Sequence, residues 1–373
     1  MFLNRLQVQQ YRNYNHIDLS FHSSLNIFLG KNAQGKTNLL ESIYLLSLGK
    51  SHRTYKDKEL IQWDKETSNI KGFIEKKYGK LQLDILLTGK GKKVSLNGIE
   101  KKRLSEFIGN LNVVMFAPED LTIVKGTPQI RRKFLDMEIG QIHPIYIHHL
   151  SNFNKIVHQK NQFLKNSFGK SINHALMDIW NQQLVSVAVP ILKKRLFFLK
   201  KLETYANDIH QKITHGKESL SIKYVHSTPF QHELSDDEAQ EVLLREFNAI
   251  KQREMLRATT LIGPHRDDLQ FFINDINAQV YGSQGQQRTV ALSIKLAEIE
   301  LVKEEVGEYP LLLLDDVLSE LDDERQTQLL STIQERVQTF VTTTNIEGLN
   351  KSTRELSDIF FVNNGKISKN AFG

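Results

Sequence analysis

The chain has 373 residues, 40% apolar and 25% charged, which suits two globular domains of roughly 150 residues each. It contains no cysteine, which excludes disulfide bonds, a thiolate metal site and a cysteine nucleophile. The formal net charge of +6 permits nucleic-acid binding without demonstrating it. No stretch approaches the ~18 apolar residues of a membrane span, and the N-terminal residues show no signal-peptide core. We therefore expect a cytoplasmic protein without membrane contact.

The first part of the chain predicts strands. Apolar and polar residues alternate over the first 30 residues, and the apolar run Leu25–Leu29 leads into a glycine-rich turn and then a helical repeat. Residues 70–116 are again rich in strand patterns, with a hairpin turn expected at Leu96-Asn97-Gly98. Residues 130–257 have a mostly helical pattern, interrupted by a short alternating run.

Strand patterns return in the last part of the chain. Short strands are expected at Leu269–Ile273 and Ala278–Tyr281, followed by a helix at Thr289–Glu305 and an apolar strand at Leu311–Leu314. The predicted organisation is one α/β domain of residues 1–118 and 258–373, interrupted by a mostly helical domain of residues 119–257.

A phosphate-binding motif follows the strand that ends at Leu29. Gly30, Lys31, Asn32, Ala33, Gln34, Gly35, Lys36 and Thr37 match the pattern G-x-x-x-x-G-K-[ST] without a gap. Glycines let backbone N–H groups turn towards phosphate oxygens, and the start of the following helix attracts an anion. Lys36 is expected to reach the β and γ phosphates, and Thr37 to bind Mg²⁺. We therefore predict a nucleotide site.

Two carboxylates follow the apolar strand Leu311–Leu314. This strand would deliver Asp315 and Asp316 to the C-terminal edge of a parallel sheet, where ligands bind in such folds. Asp315 is expected to bind Mg²⁺, and Asp316 to orient or deprotonate the water that attacks the γ-phosphate. Without the phosphate loop, a helix N-cap pair after a core strand would be the favoured interpretation, but the phosphate loop favours the catalytic one.

A third motif points to a family. Ser283, Gln284, Gly285 and Gln286 precede a predicted helix and resemble the signature motif of ABC ATPases. In that family the motif acts in trans, because one subunit presents it to the γ-phosphate of ATP held by another. Ser319 and Asp322 resemble the D-loop of the same family. The resemblance implies a P-loop ABC-type ATPase in which Lys36, Asp316 and the Ser283 of a second copy act on ATP.

The spacing of these motifs narrows the family further. Thr37 and Ser283 lie 246 residues apart, much further than in transporter ATPases, and such an insert resembles the SMC and Rad50 group. Within that group the chain is most similar to the bacterial RecF family, over essentially its whole length. The segments that carry this resemblance are Tyr11–Tyr14, Pro118–Asp136, Gly263–Asp268 and Leu314–Asp322.

The chain departs from the wider ABC pattern at three points. Asp316 occupies the position at which most ABC ATPases have a catalytic glutamate. Its shorter side chain implies slower ATP hydrolysis. Thr342-Thr343-Thr344 replaces the usual switch histidine, which leaves the γ-phosphate sensor unassigned. The glutamine of the Q-loop is not identified from the sequence.

The RecF resemblance implies a fold, cofactors and partners. The expected fold is an α/β ATPase lobe of the SMC/Rad50-head type with an inserted helical arm, and the implied cofactors are ATP and Mg²⁺. An ATP-dependent homodimer would bind duplex DNA, gaps or junctions without sequence specificity, and weak DNA-dependent ATP hydrolysis would reopen it. The implied partners are RecR with RecO, and indirectly the RecA recombinase, in DNA repair, replication, recombination and the SOS response. Arg12 is expected to approach the nucleotide.

Other interpretations stay open at this point. One alternative is an ABC transporter ATPase subunit, although the 246-residue separation argues against it. Another is a stand-alone P-loop phosphotransferase, although such an enzyme has no use for the Ser283 motif or the Asp322 loop. A third is a binding module in which ATP only holds subunits together. His265 lies in a segment that fits a structural turn better than a phosphate sensor or a DNA contact. Three basic runs are candidate contacts to the DNA backbone, although each taken alone fits a solvated surface better. They are Lys101–Arg103, Arg131–Lys133 and Lys193–Arg195.

Overall fold

The computed structural model describes residues 1–168, 174–230, 234–317, 336–345 and 357–369. The strands are β1 (Phe2–Tyr11), β2 (Tyr14–Ser20), β3 (Leu25–Leu29), β4 (Thr67–Lys76), β5 (Gly79–Thr88), β6 (Gly91–Leu96), β7 (Ile99–Lys101), β8 (Val113–Phe116), β9 (Leu220–Val225), β10 (Asp268–Ile273), β11 (Ile276–Asn277), β12 (Leu311–Asp315), β13 (Thr339–Thr343), β14 (Ser357–Asn363) and β15 (Lys366–Ser368). The α-helices are α1 (Lys36–Leu48), α2 (Leu121–Lys125), α3 (Pro128–Ile142), α4 (Pro144–Asn166), α5 (His174–Ile213), α6 (Asp236–Ala249), α7 (Lys251–Arg257), α8 (Ala278–Tyr281) and α9 (Gln284–Val306). Short 3₁₀ turns cover Asp57–Leu60, Leu104–Glu106 and Pro118–Asp120.

The chain divides into two compact units. The first consists of Met1–Asp120 with Leu292–Gly373, and the second of Leu121–Ala291. The second unit includes residues 258–291 because β10 pairs along its length with β9. The predicted functional domains, residues 1–118 with 258–373 and residues 119–257, stay a prediction. None of the helices in the described parts of the chain combines the length and hydropathy of a membrane span.

A mixed sheet carries the predicted nucleotide motifs in the first unit. Its strand order is β15-β14-β3-β13-β12-β8, and β3 runs parallel to both β13 and β14. β12 is buried at every position, as expected for a parallel strand covered on both faces. Three phenylalanines from β3, β13 and β14 (Phe28, Phe340 and Phe360) pack with Phe21, with ring centroids 5.0–6.4 Å apart. This aromatic cluster fixes the strands around the start of the phosphate loop.

A second sheet of the first unit has the order β2-β1-β4-β5-β6-β7 and is antiparallel throughout. The predicted hairpin is confirmed, because Asn97 and Gly98 join β6 to β7 with Leu96 opposite Ile99. Both turn residues have positive φ, 48° and 78°, which is the conformation that Asn-Gly favours in two-residue hairpins. The strand-rich pattern of residues 70–116 therefore predicted this part of the antiparallel sheet correctly.

The second unit is mostly helical, with a small sheet of order β11-β10-β9. One predicted strand is wrong, since Ala278–Tyr281 forms the short helix α8. The cause is Asn277, whose side chain accepts hydrogen bonds from the backbone N–H groups of Gln279 and Val280 and so starts a helix. α9 also begins earlier than predicted, at Gln284 instead of Thr289.

A buried arginine organises the second unit. Arg195 on α5 is 1% exposed. Its guanidinium donates to Asp136 on α3 at 2.7 Å, to the Tyr224 hydroxyl at 2.9 Å and to the Pro264 carbonyl at 2.7 Å. A buried charge needs such partners, because isolation from water would otherwise be costly. The segment around Pro264 is therefore held as a structural turn, as the sequence favoured.

A second buried arginine of this unit, Arg131, joins α3 to the start of β10. Arg131 on α3 forms a two-point ion pair with Asp268 at 2.7 and 2.8 Å and donates to the Gly126 carbonyl at 2.6 Å. Arg131 and Arg195 are both buried and paired with carboxylates, so neither is a contact to the DNA backbone and neither belongs to a solvated surface. For these two residues the sequence was misleading, because charge in a sequence does not reveal burial, whereas the other members of the two runs stay candidates.

Candidate nucleotide-binding site

The phosphate loop lies between β3 and α1 of the first unit. Ala33 and Gly35 have positive φ of 65° and 119°, which turns the loop back on itself. The Lys36 ammonium donates to the carbonyl of Gly30 at 2.7 Å and to that of Lys31 at 3.2 Å. Lys36 is 4% exposed. The cation therefore lies across the mouth of the loop, where phosphate oxygens could replace the two carbonyls.

The acidic end of β12 contacts the loop directly. The Thr37 hydroxyl donates to Asp315 Oδ1 at 3.0 Å, although the two residues are 278 positions apart. Thr342, opposite Asp315 in the register of β13, donates to the same oxygen at 2.8 Å. The Asp316 backbone N–H donates to the Thr342 hydroxyl at 2.9 Å. The structure thus brings together Thr37 and Asp315, and Lys36 is the residue before Thr37, whereas the roles of the three residues at a nucleotide stay predictions.

Asp316 adopts an uncommon backbone conformation. Its φ is 52°, in the left-handed region that aspartate and asparagine tolerate better than most residues. Strained backbone of this kind concentrates at functional sites, where it fixes the direction of a side chain. The turn follows immediately after Asp315 and redirects the chain away from the strand.

Asp315 is a buried carboxyl with two other carboxylates, Asp316 and Glu119, close by. Burial raises the pKa of Asp315, and the nearby charges of Asp316 and Glu119 raise it further, whereas the bonds from Thr342 and Thr37 lower it. Ionising this carboxyl is therefore unfavourable without a counter-charge. A divalent cation would supply that charge.

Glu119 was missed as a site residue from the sequence. It lies in the 3₁₀ turn Pro118–Asp120, just beyond β8, and β8 is the parallel neighbour of β12 with Phe116 opposite Leu314. Parallel neighbours bring their carboxyl ends to one edge of a sheet. The sequence carried a weak signal, since an acidic residue lies three positions after the buried apolar strand that ends at Phe116.

The residues present fit Mg²⁺ bound together with phosphates. Within the described ranges, no three His, Cys, Asp or Glu side chains are arranged to hold a metal alone. Mg²⁺ does not require such a cage, because it is usually bound through one or two protein oxygens, water and substrate phosphates. The Thr37 hydroxyl and the Asp315 carboxylate, 3.0 Å apart, are two oxygens of this type.

The turn between β1 and β2 supports the loop from one side. The Asn13 amide donates to the Gln34 carbonyl at 2.9 Å, and the Tyr14 hydroxyl donates to the Gly35 carbonyl at 2.9 Å. Arg12, predicted to approach the nucleotide, forms a two-point ion pair with Glu41 on α1 at 2.8 and 2.9 Å. Arg12 is thus placed against the helix that follows the phosphate loop, and its direct contact with a nucleotide stays a prediction.

The turn between β14 and β15 contacts the same residue of the loop, Gln34. Asn364 N donates to the Gln34 amide oxygen at 2.7 Å, and Gly365 N donates to the Gln34 carbonyl at 3.1 Å. A Cβ at Gly365 would lie 2.3 Å from the Asn13 carbonyl oxygen, so only glycine fits there. Neither contact was expected from the sequence, because both depend on the order of strands in the sheet.

The signature residues begin α9 in the second unit. Ser283 N donates to the Gln286 side-chain oxygen at 2.9 Å, and Gln286 N donates to the Ser283 hydroxyl at 3.2 Å. This reciprocal pair is a capping box, with serine as N-cap and glutamine three residues later. Gln284 and Gly285 lie between them in the first turn of the helix.

Beside this turn is a pocket of about 230 Å³. It is lined by Leu121, Lys125, Gln284, Gln287 and Arg288. The predicted D-loop residues Ser319 and Asp322 fall in the range 318–335, outside the described residues.

The sheet order, the phosphate loop after β3 and the acidic end of β12 define a P-loop ATPase fold of the ABC type. A family model described as RecF/RecN/SMC N terminal domain matches residues 2–368. The chain belongs to the RecF family.

The relatives agree with this assignment. The DNA replication and repair protein RecF of Halalkalibacterium halodurans is 53% identical over 369 residues, covering 99% of this chain and 100% of the relative. The protein of the same description from Enterococcus faecalis is 52% identical over 373 residues, covering 100% of both chains.

Solved structures agree as well. Two structures of the recombination mediator protein RecF in the RecFOR pathway, described with ATPrS and with ATP, give TM-scores of 0.92 and 0.91 at 34% and 33% identity. Each match covers 99% of this chain and 98% of the other. An Smc head bound to the C-winged helix domain of ScpA gives a TM-score of 0.55 at 14% identity, over 99% of this chain and 96% of the other, and so shares the fold alone.

Proposed function

We propose that this protein is an ATP-gated DNA clamp that acts in recombinational DNA repair and in replication restart. The observation that carries the proposal is the bond between the Thr37 hydroxyl and Asp315, which joins a phosphate loop to an acidic strand within a chain of the RecF family. Such a junction is the place where P-loop proteins hold the metal and the terminal phosphates of a nucleotide.

In this proposal the phosphate loop binds the phosphates, and the acidic end of β12 binds the metal and positions the attacking water. The backbone of residues 30–35 would hold the phosphates, and Lys36 would exchange its two carbonyl partners for phosphate oxygens. Thr37 and Asp315 would hold Mg²⁺, which supplies charge neutralisation when bound. Asp316, held by its φ of 52°, would orient or deprotonate the attacking water. Its short side chain suits slow hydrolysis.

Two copies of the chain would complete two sites. The Ser283 hydroxyl accepts a hydrogen bond from Gln286 N, and its own hydrogen is still able to donate to an oxygen beyond the helix start. A serine at a helix N-terminus suits the γ-phosphate of ATP held by a second copy. Closure would therefore require ATP, and weak hydrolysis stimulated by DNA would reopen the pair.

The partners follow from the family. Similar structures are described for a recombination mediator in the RecFOR pathway, and similar proteins as DNA replication and repair proteins. We extend this to RecR with RecO as partners of this chain, to gapped or junction DNA as its target, and to RecA as the recombinase loaded as a result. The net charge of +6 is compatible with contacts to the DNA backbone.

Sedimentation velocity tests the clamp, with wild type and Lys36→Met measured with and without ATP and duplex DNA. The wild type is expected to form dimers only with ATP and then to carry DNA, whereas Lys36→Met should do neither. Lys50→Met is the matched control, because this exposed lysine lies just beyond α1 and should leave both events unchanged. A wild type that binds ATP but stays monomeric with DNA would overturn the proposal in favour of an enzyme that acts alone.

A further inference from the structure

The signature turn is connected to a carboxylate far away in the sequence. The Gln286 amide nitrogen donates to Glu218 Oε1 at 2.8 Å, across 68 residues. The other oxygen of the same carboxylate, Oε2, lies 3.1 Å from His210 Nε2. All three residues belong to the second unit. A continuous chain of hydrogen bonds therefore runs from Ser283 through Gln286 and Glu218 to His210.

Glu218 selects one of two orientations of the Gln286 amide. A carboxylate only accepts hydrogen bonds, so it fixes the amide nitrogen on its own side and turns the amide oxygen towards Ser283. That oxygen accepts the Ser283 N–H at 2.9 Å. With the amide reversed, two N–H groups would face each other and the capping box would open. Glu218 thereby determines the backbone position of the signature serine.

His210 holds Glu218 in turn. It lies in the last turn of α5, a helix of 40 residues, and is fully buried. Thr214, in the next turn, donates to the His210 carbonyl at 2.8 Å. Glu218 itself is only 21% exposed in its side chain. The carboxylate is thus anchored on the end of the longest described helix and not on a surface loop that moves independently.

We propose that Glu218 is a positioning residue for the signature serine, acting through Gln286. The inference rests on the proposed function, in which Ser283 contacts the ATP held by a second copy. It adds that the serine is set by the end of α5, so that the helical unit takes part in the ATPase cycle through a defined contact.

The test is a double-mutant cycle on DNA-stimulated ATP turnover. Glu218→Ala is expected to lower kcat by about tenfold, because a charge-assisted hydrogen bond that orders the signature is lost. The affinity for a fluorescent ATP analogue should stay within about twofold of wild type, because the phosphate loop belongs to the other unit. Combining Glu218→Ala with Ser283→Ala should be no worse than Ser283→Ala alone, since residues that act through one another are not additive.

Two further variants separate positioning from general structure. Glu218→Gln keeps an oxygen that can accept from the Gln286 amide but also carries an NH₂ group, so its turnover should lie between those of Glu218→Ala and wild type. Glu203→Ala is the matched control, because Glu203 Oε1 accepts from the Ile222 backbone at 3.2 Å in the same region but has no bond to the signature. It should leave kcat unchanged.

The outcomes distinguish this inference from the proposed function. If Ser283→Ala turns over normally, the trans signature itself fails. If Ser283→Ala lowers kcat while Glu218→Ala has a kcat equal to or above that of wild type, the positioning role of Glu218 is overturned. It is also overturned if the double variant loses the product of the two single losses in kcat.

Discussion

The phosphate loop and the signature turn are built on opposite principles. In the loop, the groups that would face a ligand are mainly backbone N–H groups, and Lys36 is held by the carbonyls of Gly30 and Lys31. In the signature turn, side chains hold one another, and the key carboxylate of Glu218 comes from 68 residues away. A site made of backbone requires small residues at fixed spacing and so leaves a string in the sequence. A site made of side chains leaves a much weaker pattern in the sequence, because its residues need no fixed spacing.

The largest expected effect is on ATP turnover and concerns Asp316, which follows the acidic strand beside the phosphate loop. Asp316→Asn should lower ATP turnover by about 10²–10⁴-fold, because an amide cannot accept the proton of the attacking water. Nucleotide affinity should be retained, since asparagine also tolerates the φ of 52°. Steady-state hydrolysis and equilibrium nucleotide binding measure the two quantities. Asp275→Asn is the matched control, with a φ of 65° in an exposed hairpin. Wild-type turnover in Asp316→Asn would remove this residue from the chemistry.

A stability experiment asks how far the second unit depends on its buried arginine, Arg195. Arg195→Met should destabilise the protein by about 3–5 kcal/mol, because Asp136 is left as a partly buried, unpaired charge. Lys194→Met, one residue earlier, should change stability by less than about 0.5 kcal/mol. Urea unfolding followed by circular dichroism measures both. Equal losses in the two variants would show that the Arg195 network contributes nothing specific.

A glycine substitution tests the support of the phosphate loop. Gly365→Ala should weaken nucleotide binding by about tenfold, because strain at a φ of 72° and the Asn13 carbonyl would push the β14–β15 turn off Gln34. Gly216→Ala is the matched control, with a φ of 74° and open space around the added carbon. Titration with a fluorescent ATP analogue is the measurement. Equal affinities in the two variants would mean that the turn does not support the loop.

The smallest expected effect concerns Asp315. Its pKa is raised by burial, so the folded chain holds this proton more tightly than the unfolded chain, and stability falls as pH rises from about 3.8 through the folded-state pKa. Asp315→Asn removes this cost and keeps an oxygen for Thr37 and Thr342. Without nucleotide at neutral pH, its Tm should be higher than that of the wild type.

The same variant should lose the gain in Tm that ATP with Mg²⁺ gives the wild type. Thermal unfolding monitored with and without the nucleotide and the metal tests both statements. A variant less stable than wild type at neutral pH would contradict the view that ionised Asp315 costs stability in the folded chain.

The fold of the first unit was predictable where local pattern decides it. β3, α1 and β12 have short-range signals, namely an apolar run, a glycine turn and a pair of acids. Glu119 was missed as a site residue because its position depends on β8 lying beside β12. Ala278–Tyr281 was wrong because the preceding asparagine decided the local conformation.

The second unit was harder to predict, since its polar residues are placed by tertiary structure. Arg195 lies in a basic run that suggests a surface, yet it is 1% exposed. Glu218 gives no sequence signal at all, because a single carboxylate after a helix is unremarkable until its neighbours are known. Periodicity specifies the helices, whereas buried hydrogen-bond networks join residues far apart in the chain.

The position of β3 in its sheet has a consequence for how the protein is made. β3 lies between β13 and β14, and the loop that follows it is braced by Asn364 and Gly365. A ribosome releases the phosphate loop early but its neighbouring strands only after some 300 more residues. ATP recognition would therefore arise near the end of translation, because a nascent or prematurely terminated chain would lack the strands and the turn that brace the phosphate loop.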